Sequence, residues 1–423
     1  MRIVLCSILV LTVPVCAAGA VIHVHPDGAD APGGGSPDNP LRTIQYALDQ
    51  TSNGDTVMIH PGTYTGPGNY DLTPRGRDLH IRSIDPNDPH VIASTVINPA
   101  AAGRGFAFAD GESAACILEG LTITAGLAGR GGAMRCDNSS PTIVRCAFIA
   151  NTATLQGGAI YLYNSNASVR QSVIAHNTAS TDGGGIESWY GSITLANCLI
   201  YGNTANSGQG GGLDVFNSPS SAIVNCTIAD NHAFSGGAIY LWNSSAAVEN
   251  CILWSNAAQE NDQIGLHPAS VISIAWSNVQ GGYAGEGNID SDPLFVGPQD
   301  SQGEFDYHLM SEWGRRDVES GLWVHDSATS PCIDAANPAA NYDAEPWPHG
   351  GRANMGAFGA TAQASMNGSP ADFNIDGRVD WRDLAEFAEN WLAESAGIYN
   401  LDGQGRVDMT DAAIFMKHWG WAR

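Results

Sequence analysis

Gly157 to Asp182 reads GGAIYLYNSNASVRQSVIAHNTASTD, and the pattern recurs on both sides of it. Paired glycines open each copy: Gly131-Gly132, Gly157-Gly158, Gly183-Gly184, Gly210-Gly211 and Gly236-Gly237, spaced by 26, 26, 27 and 26 residues. A second marker keeps step (Cys146, Ser172, Cys198, Cys226, Cys251), and five residues after each comes Asn151, Asn177, Asn203, Asn231 or Asn256. A fixed beat of this length marks a repeat architecture. Each copy holds two or three short β-prone runs split by Gly, Asn and Ser, and no run is long enough for a helix. Short strands without intervening helices predict a mainly β fold, the stacked coils of a right-handed single-stranded parallel β-helix. Equivalent residues then lie about 4.8 Å apart.

Stacking turns the text into columns. Alternation after each glycine pair predicts two inward rows: Met134, Ile160, Ile186, Leu213, Ile239, and Cys136, Leu162, Ser188, Val215, Leu241. The Cys146 row and the row two residues on (Phe148, Ile174, Ile200, Ile228, Leu253) also point in. Free cysteine is among the most buried residue types, so the Cys row reads as packing. The Asn row reads as a ladder that satisfies backbone groups at a turn. Two rows face outward. One is Arg135, Tyr161, Glu187, Asp214 and Tyr240, in which Glu187 and Asp214 fall in adjacent coils as a candidate catalytic pair that could divide acid and base roles. The other is Asp137, Tyr163, Trp189, Phe216 and Trp242, whose four aromatics form a candidate carbohydrate platform. Both rows also admit a plain structural explanation: Tyr and Trp pack well on any β surface, and two carboxylates can be neighbours by chance.

Charge narrows the function. The chain has 43 acidic and 18 basic residues, one lysine (Lys417), and no Lys or Arg between Arg170 and Arg315. That excludes the basic patch a nucleic acid or an anionic membrane requires. Residues 1–20 run from Arg2 through an apolar stretch to the small residues Ala17, Ala18, Gly19 and Ala20, the order of a secretory signal peptide cut after Ala20. No later stretch is apolar enough to span a bilayer, so a secreted or cell-surface protein is expected. Seven cysteines follow the leader. His60, His176, His232 and His308 are scattered without ligand spacing and read as surface or turn histidines.

The GGAI of Gly157–Ile160 and Gly236–Ile239, with Phe148-Ile149-Ala150-Asn151 as FxxN, resembles the repeat of polymorphic outer membrane proteins. More broadly, residues 21–364 are similar to the pectate-lyase-like β-helix superfamily. Thr43 to Asp49 reads as a short capping helix, Gly54 to Tyr64 as the first coil, and Asp292–Phe295, Ser330–Ala335 and Asn354–Gly359 as a closing segment. The resemblance implies polysaccharide binding or processing, by a lyase or a glycoside hydrolase. Lyases of this superfamily typically use Lys or Arg as base, and the repeat region offers only Arg130, Arg135, Arg145 and Arg170. Polygalacturonases use an adjacent aspartate pair, and no Asp-Asp occurs. A non-catalytic surface or adhesion spacer remains the third expectation.

After a linker at 365–371 the pattern changes. Asp372, Asn374, Asp376, Asp380 and Asp383 stand at positions 1, 3, 5, 9 and 12 of a loop with Gly377 at the sharp turn and Arg378 supplying a backbone carbonyl. That is the oxygen set of an EF-hand-like calcium site. The block returns 28 residues later as Asn400, Asp402, Gln404, Arg406, Asp408 and Asp411, with Gly-Arg-Val-Asp in both. A helix follows each loop, one with Leu384, Phe387 and Trp391 on a face, the other with Phe415 and Trp419. Residues 372–423 resemble a type I dockerin, which implies Ca2+ as cofactor and a cohesin-like protein as partner. Asn400 and Gln404 replace charged ligands, so the second loop is expected to bind calcium more weakly.

Overall fold

The computed structural model describes residues 19–298, 305–318, 320–393, 397–404 and 406–422. The leader read from residues 1–20 lies outside them up to residue 18. Ala20, placed before the expected cut, is bonded into the fold: its N–H donates to Asp55 Oδ1 at 2.7 Å.

Every coil between Gly131 and Asn256 is built from short parallel strands. In one turn the chain runs through Ile186–Trp189, Thr194–Ala196, Leu199–Tyr201 and Thr204–Ala205, each in a different sheet. The longest sheet stacks ten strands, from Val21–Val24 to Val271–Ala275. The others have nine, seven and six strands, and in these four sheets every pairing is parallel. The columns expected from the 26-residue beat are the observed registers: Ile160 pairs Ile186, Ile186 pairs Leu213, and Leu213 pairs Ile239. All members of the two inward rows, and of the Phe148 row, are fully buried.

Single residues turn the corners. Asn164, Tyr190, Asn217 and Asn243 form one column, Gln171, Asn197, Asn225 and Asn250 a second, and His176, Gly202, Asp230 and Ser255 a third, all with φ between +47° and +62°. Asn tolerates this left-handed region better than most residues, which explains its frequency. The first glycine of each pair has φ of 63° to 66°. At the second, an added Cβ would lie 2.1–2.5 Å from a carbonyl oxygen of the next coil, so only glycine allows the coils to close.

The asparagine row is a buried ladder. Asn177 Nδ2 donates to Asn203 Oδ1 at 2.9 Å and to the carbonyl of Phe148 at 2.9 Å, while its own N–H donates to the same Asn203 Oδ1 at 3.0 Å. The pattern repeats from Asn151 to Asn256. The cysteine row does more than pack. Cys226 Sγ accepts from the N–H of Cys198 at 3.5 Å, and Cys251 Sγ from that of Cys226 at 3.3 Å. Ser172 and Ser277 fill the same role with Oγ. All seven described cysteines are free and buried, and burial pushes the Cys146 thiol up to about 12.

Both ends differ from expectation. Gly54–Tyr64 is not the first rung: Val21–Val24 precedes it and pairs with Thr56–Ile59. Helix α1 (Ile44–Asp49) seals that end with buried Ile44, Ala47 and Leu48. A second helix, α2, spans Pro89–Ser94. Among the described residues past Val279 no further strand joins the four coil sheets. These residues form two antiparallel pairs, Phe295–Pro298 with Phe305–Leu309 and Arg315–Arg316 with Trp323–Val324, and lie against the solenoid, with Tyr307 on Tyr201 and Met355 clustered with Ile252.

Helices α3 (Trp381–Glu389) and α4 (Met409–Lys417) close the chain. Asp380 and Asp408 cap them, each in a reciprocal capping box with Asp383 or Asp411. The expected apolar stripe is only partly used. Phe387 and Phe415 are buried, whereas Leu384, Trp391 and Trp419 are 38–45% exposed, because loop residue Phe373 fills the space between the helices. Trp347 of the closing segment joins this core.

The ladder generates a stability test. Asn203→Ala leaves the N–H and Nδ2 of Asn177 without their acceptor, at a cost of about 1–3 kcal/mol for each buried group left unpaired. Denaturant unfolding should show a loss of at least about 2 kcal/mol on that basis. Cys198→Ser should change stability by less than about 1 kcal/mol, since serine already holds the equivalent turn at Ser172.

Candidate functional site

The row Arg135, Tyr161, Glu187, Asp214 and Tyr240 points out of the solenoid core, yet beyond the partly exposed Arg135 it is not on the open surface. Glu187 is 0% exposed and Asp214 3%, and Tyr161 and Tyr240 are buried too. The glycine pair is the cause. It folds the preceding strand of each coil beside this row, and the first glycine lies directly on it. A Cβ on Gly183 would meet Glu187 at 2.7 Å, and one on Gly210 would meet Asp214 at 2.6 Å. The row therefore forms the floor of a trough between two sheets, opening into a cavity of about 160 Å³. Its lining includes Gln156, Asp182 and Gln209, which were not singled out from the sequence. They occupy one column, the residue before each glycine pair, and that position could have been read from the repeat.

Glu187 and Asp214 are register partners in adjacent strands. Trp189 Nε1 donates to Glu187 Oε1. Glu187 Oε2 and Asp214 Oδ1 are buried without a partner. Burial raises Glu187 well above the usual carboxylate range, the charges of Asp214 and Asp182 add to this, and the Trp189 hydrogen bond opposes it. Asp214 is also raised, first by burial and then by Asp182, with the Val215 amide opposing. Burial thus favours the protonated form of both carboxyls, and as register partners they titrate as a unit. Asp182 is held by the Gln209 N–H at 3.1 Å and by Gln156 Nε2 at 3.4 Å.

The aromatic row lines one wall, but its rings stack on one another. Trp189 and Phe216 lie 4.5 Å apart at 17°, and Phe216 and Trp242 5.9 Å apart at 11°. His267 continues the stack against Trp242 at 4.0 Å. Tyr163 packs edge-on against Tyr190 instead. Inside the stack the faces are occupied by neighbouring rings, so edges are what this wall offers the trough.

No family model matches the chain. Pectate lyase PEL9 of Emericella nidulans is 44% identical over 57 residues, a stretch that spans 14% of each protein. The crystal structure of pectate lyase Pel9A superposes with a TM-score of 0.50 at 16% identity, covering 81% of this chain and 96% of that one. The fold is a pectate-lyase-like parallel β-helix. At that identity the likeness extends to the fold alone.

The two C-terminal loops are bonded alike. Asp372 accepts from the N–H groups of Asp376 and Gly377, and Asp383 from those of Phe373, Asn374 and Asp380. In the second loop Asn400 accepts from Gln404, and Asp411 from Asp402 and Asp408. Asp372, Asp383 and Asp411 are buried. Asp372 is raised by burial and by the carboxylates of Asp383 and Asp376, while Arg382 pairs with Asp376 at 3.0 Å. Among the described residues no group of three or more His, Cys, Asp or Glu stands in metal-holding geometry. Oxygen donors are thus gathered in each loop but turned onto backbone amides. No described helix is long and apolar enough to cross a membrane.

The histidines differ from one another. His232 is exposed, and His176 sits at a corner with its ring edge-on to Tyr201. His60 is bonded to His23 at 3.0 Å. His308 is no surface residue: it is 4% exposed, bonded to Asp306 at 2.6 Å and stacked on Phe358, because the closing segment folds it against the body.

The raised protonation of the pair has a sign. In the unfolded chain Glu187 and Asp214 titrate near 4, whereas the folded pair stays protonated to higher pH. The folded state then binds more protons, so stability falls as pH rises from about 4 through the raised value. Thermal melts of Glu187→Gln at pH 8 should lie above wild type, and the gap should close near pH 4.

Proposed function

We propose that the trough acts on polysaccharide, with Glu187 and Asp214 as its acid–base pair. The observation that carries this is the pair of buried, unpartnered oxygens, Glu187 Oε2 and Asp214 Oδ1, opening onto an aromatic-walled cavity. Leaving two such atoms dry costs stability, a pattern that perturbed carboxylates follow at sites of proton transfer. Glu187, protonated, donates to the glycosidic oxygen of the leaving sugar. Asp214, ionised, takes a proton from the attacking water or stabilises positive charge at the anomeric carbon. Trp189 holds Glu187 Oε1 as an acceptor and leaves Oε2 to carry the proton. The wall of Trp189, Phe216 and Trp242 orients the chain, and Tyr163 offers an exposed ring beside it.

The likeness to pectate lyases favours a second reading, β-elimination with Arg130 or Arg135 as base. Both guanidiniums lie over Tyr161, at 5.3 and 5.9 Å from its ring centre.

The C-terminal repeat we read as a dockerin-like calcium module of an exported protein. Its donor chemistry fits a hard divalent cation: carboxylate and amide oxygens, with buried carboxylates crowding one another at Asp372. Asp372, Asn374, Asp376, Asp380 and Asp383 would hold one ion with the Arg378 carbonyl. Asn400, Asp402, Gln404, Asp408 and Asp411 would hold a second with that of Arg406. Calcium would supply structural cross-linking of each loop. Trp381 and Met409, 67% and 73% exposed at equivalent positions of the two helices, suit the face a cohesin-like partner would cover.

Two measurements test these readings. A glycan panel incubated with the full chain should release reducing ends, and Glu187→Gln or Asp214→Asn should slow release by about 10²–10⁴-fold. Undiminished release in both variants sinks the pair, and products absorbing in the ultraviolet would point to elimination. Calorimetric titration with calcium should show binding that Asp383→Ala weakens more than Asp411→Ala does, because the second loop carries fewer charged ligands. An absence of heat in wild type rejects the module.

A further inference from the structure

The electrostatics of the trough narrow what can lie in it. Three carboxyl groups, from Asp182, Glu187 and Asp214, meet at the cavity. Asp182 acts on both members of the pair and on Tyr240, where Glu260 adds a further negative charge. Among the described residues that line the cavity no cation balances them. Between Arg170 and Arg315 the sequence contains no Lys or Arg at all. The nearest guanidiniums, Arg130 and Arg135, lie over Tyr161, the former bonded to Gln156 at 3.0 Å and the latter paired with Asp137 at 2.7 Å. The remaining lining groups are amides and aromatic rings, Gln156, Gln209, Trp189, Phe216 and Trp242.

Each class of sugar polymer meets this field differently. A polyuronate would bring a negative charge per residue into a water-poor space already holding carboxylates, where like charges repel strongly. A polymer of ammonium sugars would be attracted, but its charge would favour ionised Glu187 and strip the proton a general acid must carry. An uncharged glycan leaves the proton on Glu187 in place and bonds through its hydroxyls to Gln156, Gln209 and Asp182.

We infer that Asp182 sets the charge selectivity of the trough, which takes an uncharged glycan and turns away polyuronate. The inference rests on the reading that the Glu187–Asp214 pair works on polysaccharide. Asp182 is the member of the acidic group that the proton exchange does not need. It stands at the column before the glycine pair, where the neighbouring coils carry Gln156 and Gln209. Its position, bonded to both flanking coils, fixes a negative charge beside the cavity.

The test compares the full chain with Asp182→Asn, which keeps the size and one acceptor. Binding and turnover are measured at low ionic strength on neutral xylan, galactan and mannan, on polygalacturonate and on chitosan. Wild type should retain and cleave at least one neutral polymer and bind polygalacturonate at least tenfold more weakly. Asp182→Asn should narrow that gap several-fold, and so should added salt on wild type, which screens the repulsion without any mutation. Binding of polygalacturonate by wild type as tight as that of the neutral polymers, or cleavage of chitosan as fast as theirs, overturns the inference while leaving polysaccharide work intact. A gap unmoved by both Asp182→Asn and salt also overturns it. Binding to none of the polymers removes the underlying reading, and the inference with it.

Discussion

Register between coils is the constraint on which the structure depends, and the buried asparagine ladder is one of the interactions that hold it. Each Asn side chain serves the coil before it, as acceptor for a backbone N–H and a side-chain amide, and ties its own corner to a carbonyl of the core. A slip of one residue would break this column and turn inward residues outward, since strand side chains alternate. The steric demand of the glycine pairs acts in the same sense. A second glycine pressed to within 2.1–2.5 Å of its neighbour's carbonyl at the Cβ position admits no alternative residue. Polar satisfaction and close approach thus select the same alignment, and agreement between levels of this kind is what makes one fold win.

The candidate site is a product of that alignment. Glu187 and Asp214 are 27 residues apart in sequence and become register partners only because the ladder is in step. Burial then gives the pair its chemistry. On an open sheet surface two carboxylates would ionise and be screened, whereas in the trough burial favours their protonated forms. The first glycine of each pair brings the walls of the trough together, so the residues that define the repeat also set the solvation of the candidate site.

Much of this was legible in the sequence. The 26-residue beat gave the coil length, the inward rows, the asparagine ladder and the adjacency of Glu187 to Asp214. Burial of the outward row was not legible, because it depends on the strand before each glycine pair. Thr178–Ala179 and Thr204–Ala205 are two residues long and show no alternation. The self-stacking of Trp189, Phe216 and Trp242 was also hidden, since a column says which rings are neighbours and nothing about how they tilt. At the ends the beat lapses, so no repeat signal marks Val21–Val24 as the first rung. The burial of His308 comes from a closing segment without a repeat, so no column in the sequence carries it.

Because the two carboxylates belong to successive coils, their separation is counted in rungs. Adjacent rungs are about 4.8 Å apart, and duplicating one 26-residue unit between them would set the pair about 10 Å apart while leaving every corner, ladder and core row intact. In a solenoid the distance between two outward groups is therefore set in steps of one rung by repeat number alone, a route that a globular fold with one indivisible core does not offer.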